Sequence, residues 1–359
     1  MSFRVRRNIV AGVAVCAAAA FALHLATNAG WAGNKKPVYG TITKFATVPA
    51  VPGFPEGVAV YGNSVFVSGP ARFGTAGTGP SAIQVFNRNT GALDQTIVVA
   101  GEALAFEHAV SNIALDGDGR IYALSTQLGL IRFTKKGHNY VQEAYGAPLP
   151  DIPPLAGPDF PPIVNDIVFD DDGNAYVTDS LQATIFRYGP HGGAPTIWFQ
   201  SPLLVGGGFF PFGPNGIRLD PEREYVYFAN SSSASNPLLG TIYRLPLVNN
   251  PQPADLEVVH EYVNGELPDQ LAFSHNGLLY VTLAFSNEIS VLAPCIGELT
   301  RITSQPGDEV PLDNPATIAF DNKTKSLLLS NHAILSGNPA HFAVLSIYVG
   351  DTGDPLSLP

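Results

Sequence analysis

Five oxygen-bearing side chains recur at one place in a repeated phrase: Glu56, Asn112, Asn165, Asn215 and Asp269, with Ala316 at the sixth occurrence. The phrases are Pro55-Glu56-Gly57-Val58, Ser111-Asn112-Ile113-Ala114, Val164-Asn165-Asp166-Ile167, Pro214-Asn215-Gly216-Ile217, Pro268-Asp269-Gln270-Leu271 and Pro315-Ala316-Thr317-Ile318. Hard cations such as Ca²⁺ take oxygen ligands of this kind and keep room for water. Glu56, Asn165, Asn215 and Asp269 supply two carboxylates and two amide carbonyls, and two formal charges balance one divalent ion. No Cys/His cluster accompanies them, so a structural zinc site is not expected. A cation held in this way can polarise a carbonyl or phosphoryl oxygen and activate water. Asp166 and Gln270 directly follow ring residues and are placed to brace the ligands. Asn112 is open between three roles: joining the ring, touching substrate, or stabilising a turn. Any one such Asn or Asp can simply end a turn or cap backbone groups. Recurrence in phase is what points to a site. Ala316 has no donor atom and leaves one side of the ring open.

The repeat dictates what must position these side chains. The second residues of the phrases are spaced by 56, 53, 50, 54 and 47 residues. A period near fifty with strand signals and no helical period is the mark of a propeller. Within each unit a short apolar strand leads through a polar turn into a second one, as in Ile113–Leu115, Asp116-Gly117-Asp118-Gly119, Ile121–Leu124. Asp, Asn and Gly suit such turns because they accept positive φ. Third strands are visible at Ala183–Tyr188, Gly240–Leu245 and Glu288–Leu292. The expected fold is all-β: one six-bladed β-propeller of four-stranded blades over residues 33–359. A strand near Tyr39–Phe45 is expected to close the last blade against Phe342–Val349, since propellers leave few free edges. Radial repetition then brings the phrase residues together at one mouth of the channel.

Bulk composition excludes some functions. The net charge of −11 gives no basic surface, so nucleic acid is not an expected partner. Charged residues are 14% of the chain, with 36 Gly and 31 Pro, which favours many strands joined by tight turns. Residues 1–32 read as a signal peptide: Arg4, Arg6 and Arg7, an apolar run over Ile9–Leu25, then small residues. An uncleaved anchor is the alternative, given the length of that run. Loss of the leader removes three arginines and no acids, taking the charge from −11 to −14. It also removes Cys16, leaving Cys295 as the sole cysteine. A secreted or periplasmic monomer, free of the membrane once mature, is expected.

The phrases Pro-Glu-Gly-Val, Asn-Asp-Ile, Pro-Asn-Gly-Ile and Pro-Asp-Gln-Leu resemble those of the gluconolactonase/regucalcin family of six-bladed propellers, with paraoxonases and diisopropyl fluorophosphatase more distant. The resemblance implies a catalytic divalent metal, usually Ca²⁺, on Glu56, Asn165, Asn215 and Asp269. It further implies Asp269 as general base or nucleophile, and lactones or reactive phosphotriesters as substrates. Gln270 stands where the family usually has Gly. Asn112 stands where paraoxonases carry a proton-shuttling His, which argues against that mechanism here. His108 and His332 lie near strand ends, where a lone His is usually a surface or hydrogen-bonded residue.

Three insertions, Gly69–Pro80, Gly146–Pro162 and Ser201–Pro214, sit beside the ring. The last carries Leu203, Leu204, Phe209, Phe210 and Phe212, which either pack the loop or line a pocket. A pocket would suit an aliphatic or aromatic lactone or ester better than a sugar lactone. There is no Gly-x-Ser-x-Gly elbow and no phosphate-binding loop. The expected function is a metal-dependent hydrolase of the lactonase type acting on a small lactone or ester. The alternatives are a non-enzymatic binding propeller and a strictosidine-synthase-like enzyme.

Overall fold

The computed structural model describes residues 37–353 and 357–358. The leader assigned to residues 1–32 lies outside them. Strands are nearly all of the regular structure in the described chain, mostly antiparallel, with three single-turn 3₁₀ segments and long loops between them. None of its helices is long and apolar enough to cross a membrane.

The strands fall into antiparallel runs of four. Four runs are separate four-stranded sheets. Two more, over residues 110–146 and 164–200, join through a single parallel pairing of Gly193 with Gly146 into a nine-stranded sheet. The ninth strand of that sheet, Ser357–Leu358, lies parallel to Leu115 and Asp116 at the far end of the strand Val110–Asp116. Each run begins with the strand that carries the phrase: Val58–Tyr61, Val110–Asp116, Val164–Phe169, Pro214–Leu219, Pro268–Phe273 and Pro315–Asp321. The run that ends the chain takes its fourth strand from the beginning. Ile42–Thr47 pairs with Ala343–Tyr348, close to the expected closure.

The core has no single centre. Six apolar clusters each lie between two consecutive runs, and the last joins Leu328 and Val344 to Val58 and Val67. The runs therefore close on themselves. Large side chains such as Phe186, Tyr188 and Phe228 are fully buried in these seams. Each such side chain contributes about 1.5–3 kcal/mol by leaving water.

Aspartate fixes the turns. Asp116 Oδ1 accepts from the backbone N–H of Asp118 (3.0 Å) and Arg120 (2.8 Å). Asp170 Oδ1 repeats this with Asp172 (3.0 Å) and Asn174 (2.8 Å). A short acceptor that satisfies its own turn is why Asp ends the first strand.

At the other end of the same strands the ladder slips by one residue. The slip falls between Val110 and Ile113, Val164 and Ile167, Pro214 and Ile217, Pro268 and Leu271, and Pro315 and Ile318. Such bulges set two consecutive residues against one on the partner strand. The N–H of the second bulge residue finds a hydroxyl, and in Gly57 also the carbonyl of Ser111 (3.1 Å). Gly57, Asp166, Gln270 and Thr317 donate to Ser68 (3.1 Å), Thr178 (3.0 Å), Thr282 (2.8 Å) and Ser330 (3.0 Å). Three of those hydroxyls donate onward to the next run: Ser68 to Ser111 O (2.8 Å), Thr178 to Asn215 O (2.6 Å), and Ser330 to Glu56 O. The last of these clasps the end of the chain to its start.

Candidate functional site

The bulges stack the phrase residues in two levels. Counting from the register, the upper level holds Glu56, Ser111, Asn165, Asn215, Asp269 and Ala316. The lower level holds Gly57, Asn112, Asp166, Gly216, Gln270 and Thr317. Asn112 is therefore one residue out of phase with the four candidate ligands, and Ser111 takes the equivalent place. Matching by side-chain type pairs Asn112 with Asn165, whereas the strand register pairs Ser111 with it. Counting back two residues from the first fully apolar position of each strand (Val58, Ile113, Ile167, Ile217, Leu271, Ile318) identifies Ser111 correctly.

Glu56, Ser111, Asn165, Asn215 and Asp269 all line one cavity of about 500 Å³. Its walls come from the loops: Phe73 from the first insertion, Pro161 and Pro162 from the second, Phe210 and Phe212 from the third, with Phe285 and Ile334 opposite. Phe73 stacks on Phe212 with ring centres 6.3 Å apart, and Phe210 meets Phe285 edge-on at 5.5 Å. The third insertion is divided in its use. Phe209 is 92% exposed and Leu203 points to solvent, while Leu204 is buried in the core between runs.

The lower level is bonded to itself. Asn112 Nδ2 donates to Asp166 Oδ1 (2.6 Å) and Thr317 Oγ1 (3.1 Å). Asp166 Oδ2 accepts from Ile217 N (2.7 Å) and pairs with the buried Arg218. Burial pushes the Asp166 carboxyl up, against the pull of Arg218. Asp166 thus braces Asn112 and Arg218. Gln270 does reach upward: its Nε2 donates to Asn165 Oδ1 at 3.2 Å. Glycine is required beside these groups. A Cβ on Gly57 would lie 2.7 Å from Asn112 Oδ1, and one on Gly216 would lie 2.7 Å from Gln270 Cα.

The upper level is under-bonded. Asn215 Nδ2 donates to Ser231 Oγ (2.9 Å), which leaves its buried Oδ1 without a partner. Ser111 Oγ is buried and also unpartnered. Asp269 is buried, with no Lys or Arg paired to it among the described residues. Burial, then the charges of Glu56 and Asp166, push its carboxyl well above the usual range, opposed by the Asn215 amide. Two buried carboxylates with a free amide oxygen form a site short of positive charge. Among the described residues no group of three His, Cys, Asp or Glu is placed to hold a metal. The oxygen-only set of two acids and two amides is the donor chemistry that a hard divalent cation requires.

Both histidines are buried and hydrogen-bonded. His332 Nδ1 donates to Glu56 Oε2 (2.9 Å), and its Nε2 has no partner. His108 places Nδ1 against Phe106 O and Nε2 against Gly79 O, each at 2.9 Å. Carbonyls only accept, so both contacts are satisfied by the imidazolium alone. Burial pulls the His108 pKa down, but the two carbonyls with Glu102 and Glu107 outweigh it, and the net shift is upward. Glu107 ties the first insertion down through Gly74 N (2.8 Å) and Thr75 N (3.0 Å).

Against known structures, regucalcin from Agrobacterium tumefaciens, described as a calcium-binding protein, superposes with a TM-score of 0.63 over 89% of this chain and 97% of its own, at 15% identity. This chain has the regucalcin fold. A putative gluconolactonase matches at 0.56 over 87% of this chain and 93% of its own, at 16% identity. The PQQ-bound aldose sugar dehydrogenase of Streptomyces coelicolor matches at 0.59 over 88% and 99%, at 14% identity. No protein-family model matches the sequence, and no curated protein does. At these identities the likeness carries the regucalcin fold alone, which serves more than one chemistry.

Sequence reasoning missed Ser111, the Glu56–His332 contact, and Phe73, Phe285 and Arg72 in the cavity wall. Ser111 had a signal in the strand register, and Arg72 and Phe73 fall in the insertion Gly69–Pro80 already placed beside the ring; the others had none.

Proposed function

We propose that the six runs are the blades of a six-bladed propeller, and that the protein is a secreted or periplasmic metal-dependent hydrolase of the lactonase type. Glu56, Asn165, Asn215 and Asp269 would hold the cation, most simply Ca²⁺. The observation that carries this reading is their convergence in one cavity with Asn215 Oδ1 unpartnered and Asp269 lacking a counter-charge. Such a cation, when bound, supplies Lewis acidity toward the substrate carbonyl. Asp269 faces the cavity and acts as the base. It takes a proton from water as the water oxygen adds to the acyl carbon, and returns it to the alkoxide when the ester C–O bond breaks. Gln270 holds the Asn165 amide, and His332 holds Glu56. The phenylalanine walls favour an apolar lactone or ester over a sugar lactone, in a monomer acting on a small molecule.

A ligand-binding propeller without catalysis is the competing reading. It draws on two contacts that occupy candidate oxygens, His332 with Glu56 Oε2 and Gln270 with Asn165 Oδ1. A lactone and ester panel assayed with Ca²⁺ and with chelator, on wild type and Asp269→Asn, separates the two. Activity lost by about a hundredfold or more on chelation and on substitution supports the hydrolase. Activity that survives both removes the metal mechanism, and no activity with any substrate favours the binding protein.

A further inference from the structure

Among the residues that line the cavity, Arg72 is the one lysine or arginine. It has no ion pair or hydrogen bond among the described residues; its contact is with a ring, the guanidinium carbon lying 4.4 Å from the Phe54 ring centre. Phe54 is itself wedged. It tilts against Phe342 at 4.7 Å and meets the edge of His332 at 6.2 Å. The backbone there is tightly pinned: Ala71 N donates to Phe54 O (3.3 Å), and a Cβ on Gly69 would lie 2.8 Å from Gly53 O. A guanidinium stacked on a fixed ring keeps its face occupied and its N–H edge free. The half-buried charge is thereby oriented without being neutralised.

The nearest acids in the wall do not fill that role. Glu107 is spent on the backbone of the first insertion. Glu56 bonds His332, and Asp269 sits with Asn215 at the upper level. The rest of the wall mixes aromatic and aliphatic side chains with neutral polar ones and with His108 and His332, whose ring nitrogens bond Phe106 O, Gly79 O and Glu56. We propose that Arg72 is a specificity residue: the cavity takes a molecule with an apolar body and a carboxylate remote from any group undergoing reaction, and Arg72 binds that carboxylate through paired N–H donors. Planar bidentate pairing is what distinguishes Arg from Lys in this role. The inference rests on the cavity being a small-molecule site and names the class of ligand for it.

Two measurements test it separately from hydrolysis. The first is calorimetric titration with phenylacetate and with phenylacetamide, in chelator and in Ca²⁺, on wild type, Arg72→Gln and Arg72→Lys. Phenylacetate is expected to bind wild type in chelator at least about tenfold tighter than the amide, to lose that advantage in Arg72→Gln, and to regain part of it in Arg72→Lys. Equal binding of acid and amide, or an advantage that appears only with Ca²⁺ and is insensitive to Arg72, overturns the proposal. The second compares kcat/KM for monomethyl and dimethyl adipate. Arg72→Gln should lower the ratio of the acid ester to the diester about tenfold. A mere packing role would lower both equally and overturn it. If neither ester is hydrolysed while the phenylacetate advantage stands, the hydrolase reading fails and the carboxylate site remains.

Discussion

Two layers of side chains one residue apart along the same six strands have opposite chemistry. In the lower layer Asn112, Asp166 and Thr317 are linked among themselves and to Arg218, and the backbone N–H groups of Asp166, Gln270 and Thr317 reach hydroxyls of neighbouring strands. In the upper layer Ser111 Oγ and Asn215 Oδ1 have no partner, and burial together with the nearby Glu56 charge disfavours the Asp269 anion. Identical backbone geometry does not decide between the two. What differs is the counter-charge: Arg218 pairs with Asp166 in the lower layer, whereas in the upper layer Asp269 has the Asn215 amide and no lysine or arginine among the described residues, and Glu56 has His332. Unpartnered polar atoms occur in the lower layer too, on Arg218 and Gln270, but within the two layers only those of Ser111 and Asn215 belong to residues that line the cavity, which is where a ligand can complete the structure.

That contrast yields predictions about stability, the largest in the lower layer. Asp166→Ala leaves the buried Arg218 without its counter-ion, and should lower unfolding free energy in urea by about 3–5 kcal/mol. A cost below about 1 kcal/mol would show that the lower layer is not holding the channel together. In the wall above the upper layer, His108 gives a pH-dependent effect. Its pKa is raised in the fold above the ordinary 6.5. The folded state therefore binds the proton more tightly than the unfolded chain, so this contribution is complete below about pH 6.5 and is lost as pH rises through the higher folded value. His108→Gln should accordingly cost about 1 kcal/mol in acid and less in alkali, read from thermal midpoints across pH. An equal cost at every pH would mean the imidazole is neutral in the fold. The smallest effect belongs to the upper layer itself. Without Ca²⁺, Asp269→Asn should be as stable as wild type or slightly more so, because it removes a buried charge repelled by Glu56. A loss of more than about 1 kcal/mol in chelator would erase the distinction between the layers.

Much of this was legible in the sequence because the fold repeats. A strand with a bulge that presents the same phrase six times announces its period, and the Asp-Gly turns mark where each strand ends. Ile42–Thr47 was placed near its observed partner by the need to cover an edge. What was not legible has no period. Arg72 stacks on Phe54 within the first run and His332 reaches Glu56 across the ends of the chain, and neither contact follows from spacing. Ser111 was obscured for a different reason: the eye aligned identical residues, whereas the bulge aligns strand starts. The fate of the third insertion depended on packing, which sends Phe210 and Phe212 inward, leaves Phe209 in solvent and buries Leu204 in a seam.

The clasp between the first and last runs has a consequence for biosynthesis. Glu56 emerges from the ribosome nearly three hundred residues ahead of its partners Ser330 and His332, and Ile42–Thr47 waits still longer for Ala343–Tyr348. The contacts that fix Glu56 in the cavity wall therefore cannot form until the last run has been made. A chain interrupted before Ser330 lacks both of these contacts to Glu56, whatever else of the molecule has been made.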